Sequence, residues 1–269
     1  MIYPWKLNYW QSGEWQVVNE RLKDMEKANV AFNPTRNSLF RALRTTSLEE
    51  TRVAIFGQDP YPDGKYATGL AFSTPGEIQR DDFPPTLSTI LKEYVSDLGY
   101  PNPSHGSLLR WAEQGVLLWN VIPSCKAGKS LSHDWNEYSY LTKEITQKLS
   151  EKGIVFCFLG AVAKRYLEEV DLTKNEVILT SHPSPRGIKF GKNPFEGSRL
   201  FSTINDKLVS QGLDPIDWKL PDVPDRPDQS NPKVLNKPNR IWNSNRHLSW
   251  NQGNTVNGVH HPGRLEVHE

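Results

Sequence analysis

Four short apolar runs constrain the fold of this chain more than any other feature. They lie at positions 53–56, 115–120, 154–160 and 177–180 and are rich in aliphatic and aromatic residues. Runs of this length and composition are typical of strands that are buried on both faces. Such strands occur in parallel sheets, whose crossover connections are usually helices. The runs therefore predict a parallel sheet with helices on its faces.

The segments between and around these runs show the helical period that such crossovers need. Four apolar stripes carry it: Trp15, Val18, Leu22 and Met25; Leu87, Ile90, Leu91, Tyr94, Val95 and Leu98; Tyr138, Leu141, Ile145 and Leu149; and Leu200, Phe201, Ile204 and Leu208. A further helical pattern opens at Gly160 and is carried by Ala161, Tyr166, Leu167 and Val170. We predict an α/β fold, a three-layer sandwich with a central four-stranded, mainly parallel sheet flanked by helices.

The character of the sequence changes after Trp218. A chain of 269 residues that is 36% hydrophobic suffices for one domain with a substantial core plus an appendage. We predict a folded domain at 1–218 and an extension at 219–269, rich in proline and asparagine, that wraps around the domain or stays disordered. Trp242 and Trp250 in this extension are suited to stacking on bases or docking on a partner, and packing on their own domain explains them as well.

Composition narrows the class of protein without naming a function. No apolar run approaches the roughly 20 residues that a membrane-spanning helix needs, and the N-terminal residues lack a signal-peptide pattern, so we expect a cytoplasmic protein without a membrane partner. Cys125 and Cys157 lie in or next to apolar runs, which favours buried free thiols over a disulfide scaffold or a zinc site.

The formal net charge is +1, so any attraction to a polyanion must be local. The basic loop 186–192 suits phosphates, although a solvated surface loop explains it equally well.

Polar side chains follow the predicted strands at the points where they end. Gln58, Asp59 and Tyr61 follow the first run, Asn120 ends the second, and His182 follows the last. Ligand sites of open α/β sheets lie at the carboxyl ends of the strands, so we expect these side chains to meet. A carboxylate, a histidine and an amide suit a hydrolytic or base-recognising site. The sequence shows no nucleophile elbow, Walker loop, dinucleotide-binding glycines or zinc-deaminase signature.

These residues sit in motifs that closely resemble family-1 uracil-DNA glycosylases. The motifs are those at 57–61, 69–73, 84–88, 115–120, 127–135, 182–185 and 215–218. They occur in order and with matching spacing, and the resemblance covers roughly Trp5 to Trp218. It implies a catalytic domain that hydrolyses the N-glycosidic bond of deoxyuridine in DNA, which releases uracil and leaves an abasic site. It implies no cofactor and no metal.

The resemblance also implies roles for the residues at the strand ends. Asp59 would orient the attacking water and offset positive charge on the sugar, and His182 would donate, as a neutral imidazole, to the uracil oxygen that gains charge. Without the resemblance, Asp59 is explained as an Asp-Pro turn former and His182 as a turn residue.

Four further residues would bind the base. Asn120 would read its Watson-Crick edge, Tyr61 would exclude the methyl group of thymine, and Gln58 would contact a uracil carbonyl through its backbone or its side chain. Phe72 would stack on the base, although an aromatic residue after a Gly-Leu-Ala run is equally well explained as core.

Base flipping requires contacts to the DNA backbone, for which serine-proline loops are suited. The expected DNA-binding residues are Pro84, Pro85, Ser88, Ser184, Pro185, Arg186 and Ile188. The chain departs from the family pattern where Pro62 replaces a histidine, Ala161 replaces a serine, and Arg186 replaces an inserting leucine. Ile188 is a candidate for that insertion. We hypothesise weaker flipping from duplexes and greater reliance on single-stranded substrate.

The expected partners are single- and double-stranded DNA containing uracil and, as a further expectation, a DNA-mimicking inhibitor protein. The resemblance favours a monomer. One alternative is a catalytically weak scaffold that keeps the fold and binds DNA, but such a protein has no need for Asp59, Asn120 and His182 together. A glycosylase with altered base choice is a second alternative, against which the intact Tyr61 and Asn120 argue.

Overall fold

The computed structural model of the protein describes residues 5–189 and 192–224. Its strands are β1 (Phe32–Asn33), β2 (Val53–Gly57), β3 (Val116–Asn120), β4 (Cys125–Lys126), β5 (Val155–Leu159) and β6 (Glu176–Thr180). Its helices are α1 (Gly13–Lys27), α2 (Arg41–Thr45), α3 (Pro85–Leu98), α4 (Leu109–Ala112), α5 (Asn136–Ser150), α6 (Ala161–Lys164) and α7 (Leu200–Ser210). Short 3-10 turns span Asn8–Gln11, Arg80–Asp82 and Leu167–Glu169.

The four predicted strands form one sheet in the order β3-β2-β5-β6. All three pairings in this sheet are parallel, which confirms the predicted fold class. Because β2 lies between β3 and β5, its last residue, Gly57, lies beside Asn120 at the carboxyl edge. The sequence did not predict β1 and β4, which form a separate antiparallel pair of two residues each.

Burial explains why these runs form strands. Every residue of β2 and β5 is buried, and in β3 only Asn120 is partly exposed. Helices cover the sheet, with α3 packed against α7 and α1 packed against α5. Each fully buried aliphatic side chain contributes about 1.5–3 kcal/mol to folding, so the apolar stripes of these helices fix how they dock.

Two helices show how well local signals predicted boundaries. Helix α3 begins at Pro85, a position that tolerates proline, and ends at Leu98, just before Gly99, which has a left-handed φ of 68°. The helical pattern predicted after Gly160 is shorter than expected, since α6 ends at Lys164 and a 3-10 turn follows. That turn is held to α5 by Glu169, whose carboxylate accepts hydrogen bonds from Gln147 and pairs with Lys143.

The beginning of the predicted extension packs on the domain. Leu220 is buried, and its backbone N–H donates to the Tyr94 hydroxyl at 3.3 Å. The carbonyl of Pro221 contacts His105 Nε2 at 2.8 Å. Residues 225–269, which include the tryptophans at 242 and 250, lie outside the described residues. Among the residues that the structure describes, no helix has the length and apolar character to cross a bilayer.

Candidate active site

A cleft of about 370 Å³ opens at the carboxyl edge of the sheet. Its walls contain seven of the predicted site residues: Gln58, Asp59, Tyr61, Phe72, Asn120, His182 and Ser184. They also contain residues that had no assigned role, among them Thr86, Thr68 and Ser130. The parallel sheet thus gathers side chains from 58 to 184 in one cavity, as its topology requires.

Gly57 leaves space at the base of this cleft. A Cβ atom there would lie 2.8 Å from Asn120 Oδ1 and 2.8 Å from the Phe72 ring. Contacts that short would displace both side chains, so the close approach of the amide and the ring depends on glycine. Phe72 has a φ of 66°, an uncommon conformation for a residue with a side chain.

The carboxylate of Asp59 is surrounded by hydrogen-bond donors. Gln58 Nε2 donates to Oδ1 at 2.9 Å, and the backbone N–H of Leu131 donates to Oδ2 at 2.6 Å. The Ser130 hydroxyl lies 2.9 Å from Oδ1 and 2.8 Å from Oδ2. Donors of this kind stabilise an ionised carboxylate. The side chain of Gln58 is therefore engaged with Asp59 in this structure. The expected contact of its backbone or side chain with a uracil carbonyl stays a prediction.

Hydrogen bonds connect the loop that carries Asp59 to β4 and the loop that follows it. The carbonyl of Pro62 accepts from the Gly128 N–H at 2.8 Å and from Asn33 Nδ2 at 2.7 Å. The Cys125 thiol donates to the Pro60 carbonyl at 3.5 Å. Burial, helped by the charge of Asp59, raises the pKa of this thiol to about 12, which keeps it protonated as a donor. Both cysteines are buried and free, as predicted.

Asn120 lines the cleft and carries an unsatisfied acceptor. Its Oδ1 atom is buried and has no hydrogen-bond partner among the residues that the structure describes. Such an atom costs about 1–3 kcal/mol, and in native structures it usually marks a position that water or a ligand fills. A ligand that donates an N–H from its edge would satisfy it.

Tyr61 lines the same cleft and is held by two contacts. Its hydroxyl donates to the Phe72 carbonyl at 2.8 Å, and its ring packs edge-on against Tyr66 with centroids 5.9 Å apart. Burial raises the pKa of Tyr61 well above the usual value, so it remains a neutral hydrogen-bond donor. The cleft wall that it forms is therefore fixed in place.

His182 closes the cleft from the side of β5. A Cβ atom at Gly160 would lie 2.9 Å from the His182 Cβ, so glycine is needed where β5 ends, and its φ is 96°. Burial lowers the pKa of His182 below its ordinary value, although the charge of Asp59 opposes this. The imidazole is consequently neutral near pH 7 and can donate one N–H hydrogen bond.

The predicted DNA-binding residues belong to two segments, 84–88 and 184–188, which contribute Thr86 and Ser184 to the cleft wall. In the first segment, Pro84 is buried and Pro85 exposed at the start of α3, and Ser88 is half-buried one turn later. In the second segment, the Ser184 carbonyl accepts from the backbone N–H groups of Gly187 and Ile188, which forms a tight turn. Pro185 and Arg186 are exposed on that turn. Ile188 packs partly against the core.

The contacts of Ser130 and Leu131 with Asp59 were not predicted from the sequence. Both belong to a segment that resembles the family, but the donor at Ser130 lies 71 positions from Asp59, and no local pattern marks it. Leu131 has a φ of 59° and a 42% exposed side chain, which periodicity does not reveal. No cluster of three or more histidine, cysteine or acidic side chains suited to a metal ion occurs within residues 5–189 and 192–224.

Fold and site together define an α/β protein whose cleft, at the carboxyl edge of the sheet, is lined by a carboxylate, an amide and an imidazole. The chain belongs to the Uracil DNA glycosylase superfamily, whose family model matches residues 43–209. This confirms the resemblance seen in the sequence.

Similar proteins support the same conclusion. The chain is 40% identical over 211 residues to the uracil-DNA glycosylase of Enterococcus faecalis, a match that covers 78% of this chain and 90% of that protein. The crystal structure of mimivirus uracil-DNA glycosylase superimposes with a TM-score of 0.70 at 25% identity, covering 78% of this chain and 83% of that one. A mimivirus UNG variant solved in complex with UGI shares the fold, with a TM-score of 0.71 at 24% identity over 81% of this chain and 90% of that one.

Proposed function

We propose that this chain is a uracil-DNA glycosylase that hydrolyses the N-glycosidic bond of deoxyuridine in DNA. The observation that carries the proposal is the unsatisfied Oδ1 of Asn120, a residue that lines one cleft together with Asp59 and His182. The N3–H of uracil would satisfy this acceptor. The names of relatives with 36–40% identity support the same activity.

The reaction breaks the bond between C1′ and N1 and leaves its electron pair on uracil. Positive charge develops on the sugar, and the ionised Asp59 would stabilise it electrostatically. A water oriented by the carboxylate would then form the new C1′–O bond, and its proton would pass to Asp59 or to solvent. The products are uracil and an abasic deoxyribose.

His182 would stabilise the departing base. Negative charge on uracil spreads onto its carbonyl oxygens, and a neutral imidazole N–H can donate to one of them. The lowered pKa of His182 favours this neutral form. A neutral donor suits a leaving group that departs as an anion, because no proton needs to be transferred.

Base selection would come from Asn120 and Tyr61. The Asn120 amide matches the acceptor and donor of the uracil edge and mismatches cytosine. The fixed ring of Tyr61 would occupy the space that the C5 methyl group of thymine needs. Phe72, whose ring lies near that of His182 with centroids 6.4 Å apart, would support the base on one face.

DNA is the proposed macromolecular partner. It would be contacted through two segments, one with Pro84, Pro85 and Ser88, and the other with Ser184, Pro185, Arg186 and Ile188. We extend the proposal to a monomeric, cytoplasmic enzyme without a cofactor, and to a DNA-mimicking inhibitor protein that competes for the cleft. Sedimentation in the presence and absence of DNA tests the monomer. Titration of an inhibitor protein into the activity assay tests the competition.

The decisive experiment measures uracil release from matched single- and double-stranded oligonucleotides. Wild type and Asp59→Asn are compared in chelator without added metal. We expect release by wild type on both substrates, faster on single strands, and a loss of at least a hundredfold in the variant. DNA binding without any release by wild type would favour the scaffold alternative. Release on duplex as fast as on single strands would contradict the strand preference.

A further inference from the structure

We infer that Ser130 is a positioning residue, which holds the Asp59 carboxylate in the orientation that the reaction needs. The inference rests on the proposed function, because it concerns the water that attacks C1′. It starts from one contact, in which the Ser130 hydroxyl lies within hydrogen-bond distance of both carboxylate oxygens, at 2.9 and 2.8 Å.

The hydroxyl of Ser130 completes a set of three donors. A carboxylate offers about four lone-pair positions on its two oxygens. Gln58 Nε2 occupies one position on Oδ1, and the Leu131 N–H occupies one on Oδ2. The single hydroxyl proton of Ser130 occupies a third. One position is thus left for a water, and the cleft that would hold this water is lined by Ser130 itself.

Ser130 also has lone pairs to offer. Because its proton points to Asp59, its oxygen can accept a hydrogen bond from the water at the remaining carboxylate position. The water would then be held by two acceptors, which leaves its own lone pair available for C1′. A backbone N–H at this place could donate to Asp59 but could not accept a hydrogen bond from the water, whereas a hydroxyl can do both.

The loop at 128–131 places the donors of Ser130 and Leu131 next to the Asp59 carboxylate. Leu131 adopts a left-handed φ of 59°, an uncommon conformation for a residue with a side chain. The bend directs the Ser130 hydroxyl and the next backbone N–H to the same carboxylate. Gly128 N–H, bonded to the Pro62 carbonyl at 2.8 Å, fixes the start of the loop against the Asp59 segment.

Ser132 provides a matched control in the same loop. Its hydroxyl accepts from the Lys126 N–H at 2.7 Å and donates to the Lys129 carbonyl at 2.7 Å. It therefore stabilises the loop backbone, whereas Ser130 contacts the carboxylate. If Ser130 acted only on loop structure, the two serines would respond alike to removal of their hydroxyls.

The test is a double-mutant cycle on a single-stranded oligonucleotide with one deoxyuridine. We expect Ser130→Ala to lower kcat about tenfold, or about 1.4 kcal/mol, with little change in KM. Ser130→Thr, which keeps the hydroxyl, should restore most of kcat. Ser132→Ala should stay within about twofold of wild type. In an Asp59→Asn background, Ser130→Ala should have no further effect on kcat, because the carboxylate is already absent.

Several outcomes of this test would overturn the inference, and one would overturn the proposed function as well. Wild-type kcat in Ser130→Ala, an equal loss in Ser132→Ala, or the full tenfold loss in the Asp59→Asn background would overturn the inference while leaving the proposed function intact. A rise in KM with unchanged kcat would also overturn it, since that pattern means a binding contact. Absence of uracil release by wild type would overturn the proposed function and this inference together.

Discussion

Gly57 and Asn120 are so close that a Cβ atom on the glycine would lie 2.8 Å from the Asn120 Oδ1 atom. The two residues are paired in register on β2 and β3, so backbone hydrogen bonds of the sheet set their separation. The position of the Asn120 amide is thus determined by a strand pairing and by the absence of a side chain next to it.

The first prediction concerns this contact. Gly57→Ala should lower kcat/KM for uracil release by about tenfold or more, because Asn120 and Phe72 must move and small misplacements of binding groups are costly in catalysis. Gly13→Ala is the control, since a Cβ atom there meets no atom of the described residues within 4 Å. Kinetics and thermal melting of both variants provide the measurement. Unchanged kinetics in Gly57→Ala would show that Asn120 and Phe72 can move without loss of activity.

The second prediction concerns Tyr61 as the residue that excludes thymine. Tyr61→Ala should release thymine from a thymine-containing oligonucleotide, and its uracil release should fall about tenfold. Tyr61→Phe separates shape from hydrogen bonding, because it keeps the ring and loses only the bond to the Phe72 carbonyl. It should remain specific for uracil. Thymine release by Tyr61→Phe alone would mean that the hydrogen bond, and not the ring, sets the specificity.

The strands and long helices followed from the sequence because their signals are local. An apolar run such as 53–56 or a stripe such as Leu141, Ile145 and Leu149 reports burial through spacing alone. The meeting of Asp59, Asn120 and His182 followed from topology, since parallel strands place their ends at one edge.

Other features depend on packing between distant segments. The extent of α6 is limited by contacts of the following turn with α5, and the bent loop at Leu131 is fixed by its bond to Asp59. The antiparallel pairing of β1 with β4 involves only two residues on each side. A pairing this short leaves no periodic pattern in the sequence.

The third prediction concerns base choice at Asn120. Asn120→Asp replaces an amide that both donates and accepts by a group that, when ionised, only accepts. It should release cytosine from a cytosine-containing oligonucleotide, because the amino group of cytosine is a donor, and its uracil release should fall about a hundredfold. Asn120→Ala is the control, which should lose uracil release without gaining cytosine release. Equal base preference in Asn120→Asp and wild type would refute the assigned role.

The fourth prediction concerns His133, which is buried against Trp135 with ring centroids 4.2 Å apart and lies 2.8 Å from the Ser124 hydroxyl. Burial, with a contribution from the charge of Lys126, lowers its pKa from 6.5 to about 4. Above pH 6.5 both folded and unfolded states are neutral at this residue. Between 6.5 and about 4 only the unfolded state takes up the proton, so the free energy of unfolding falls, by about 2 kcal/mol near pH 5.

The matching measurement is urea unfolding of wild type and His133→Gln at about pH 7.5 and pH 5. The variant should be less stable at the higher pH, because it loses the ring stack, but its stability should change less between the two values. Other titrating groups contribute equally to both proteins, so the difference isolates His133. The same pH dependence in both proteins would mean that the folded state accommodates the imidazolium ion, and that the aromatic stack on Trp135 does not exclude its charge.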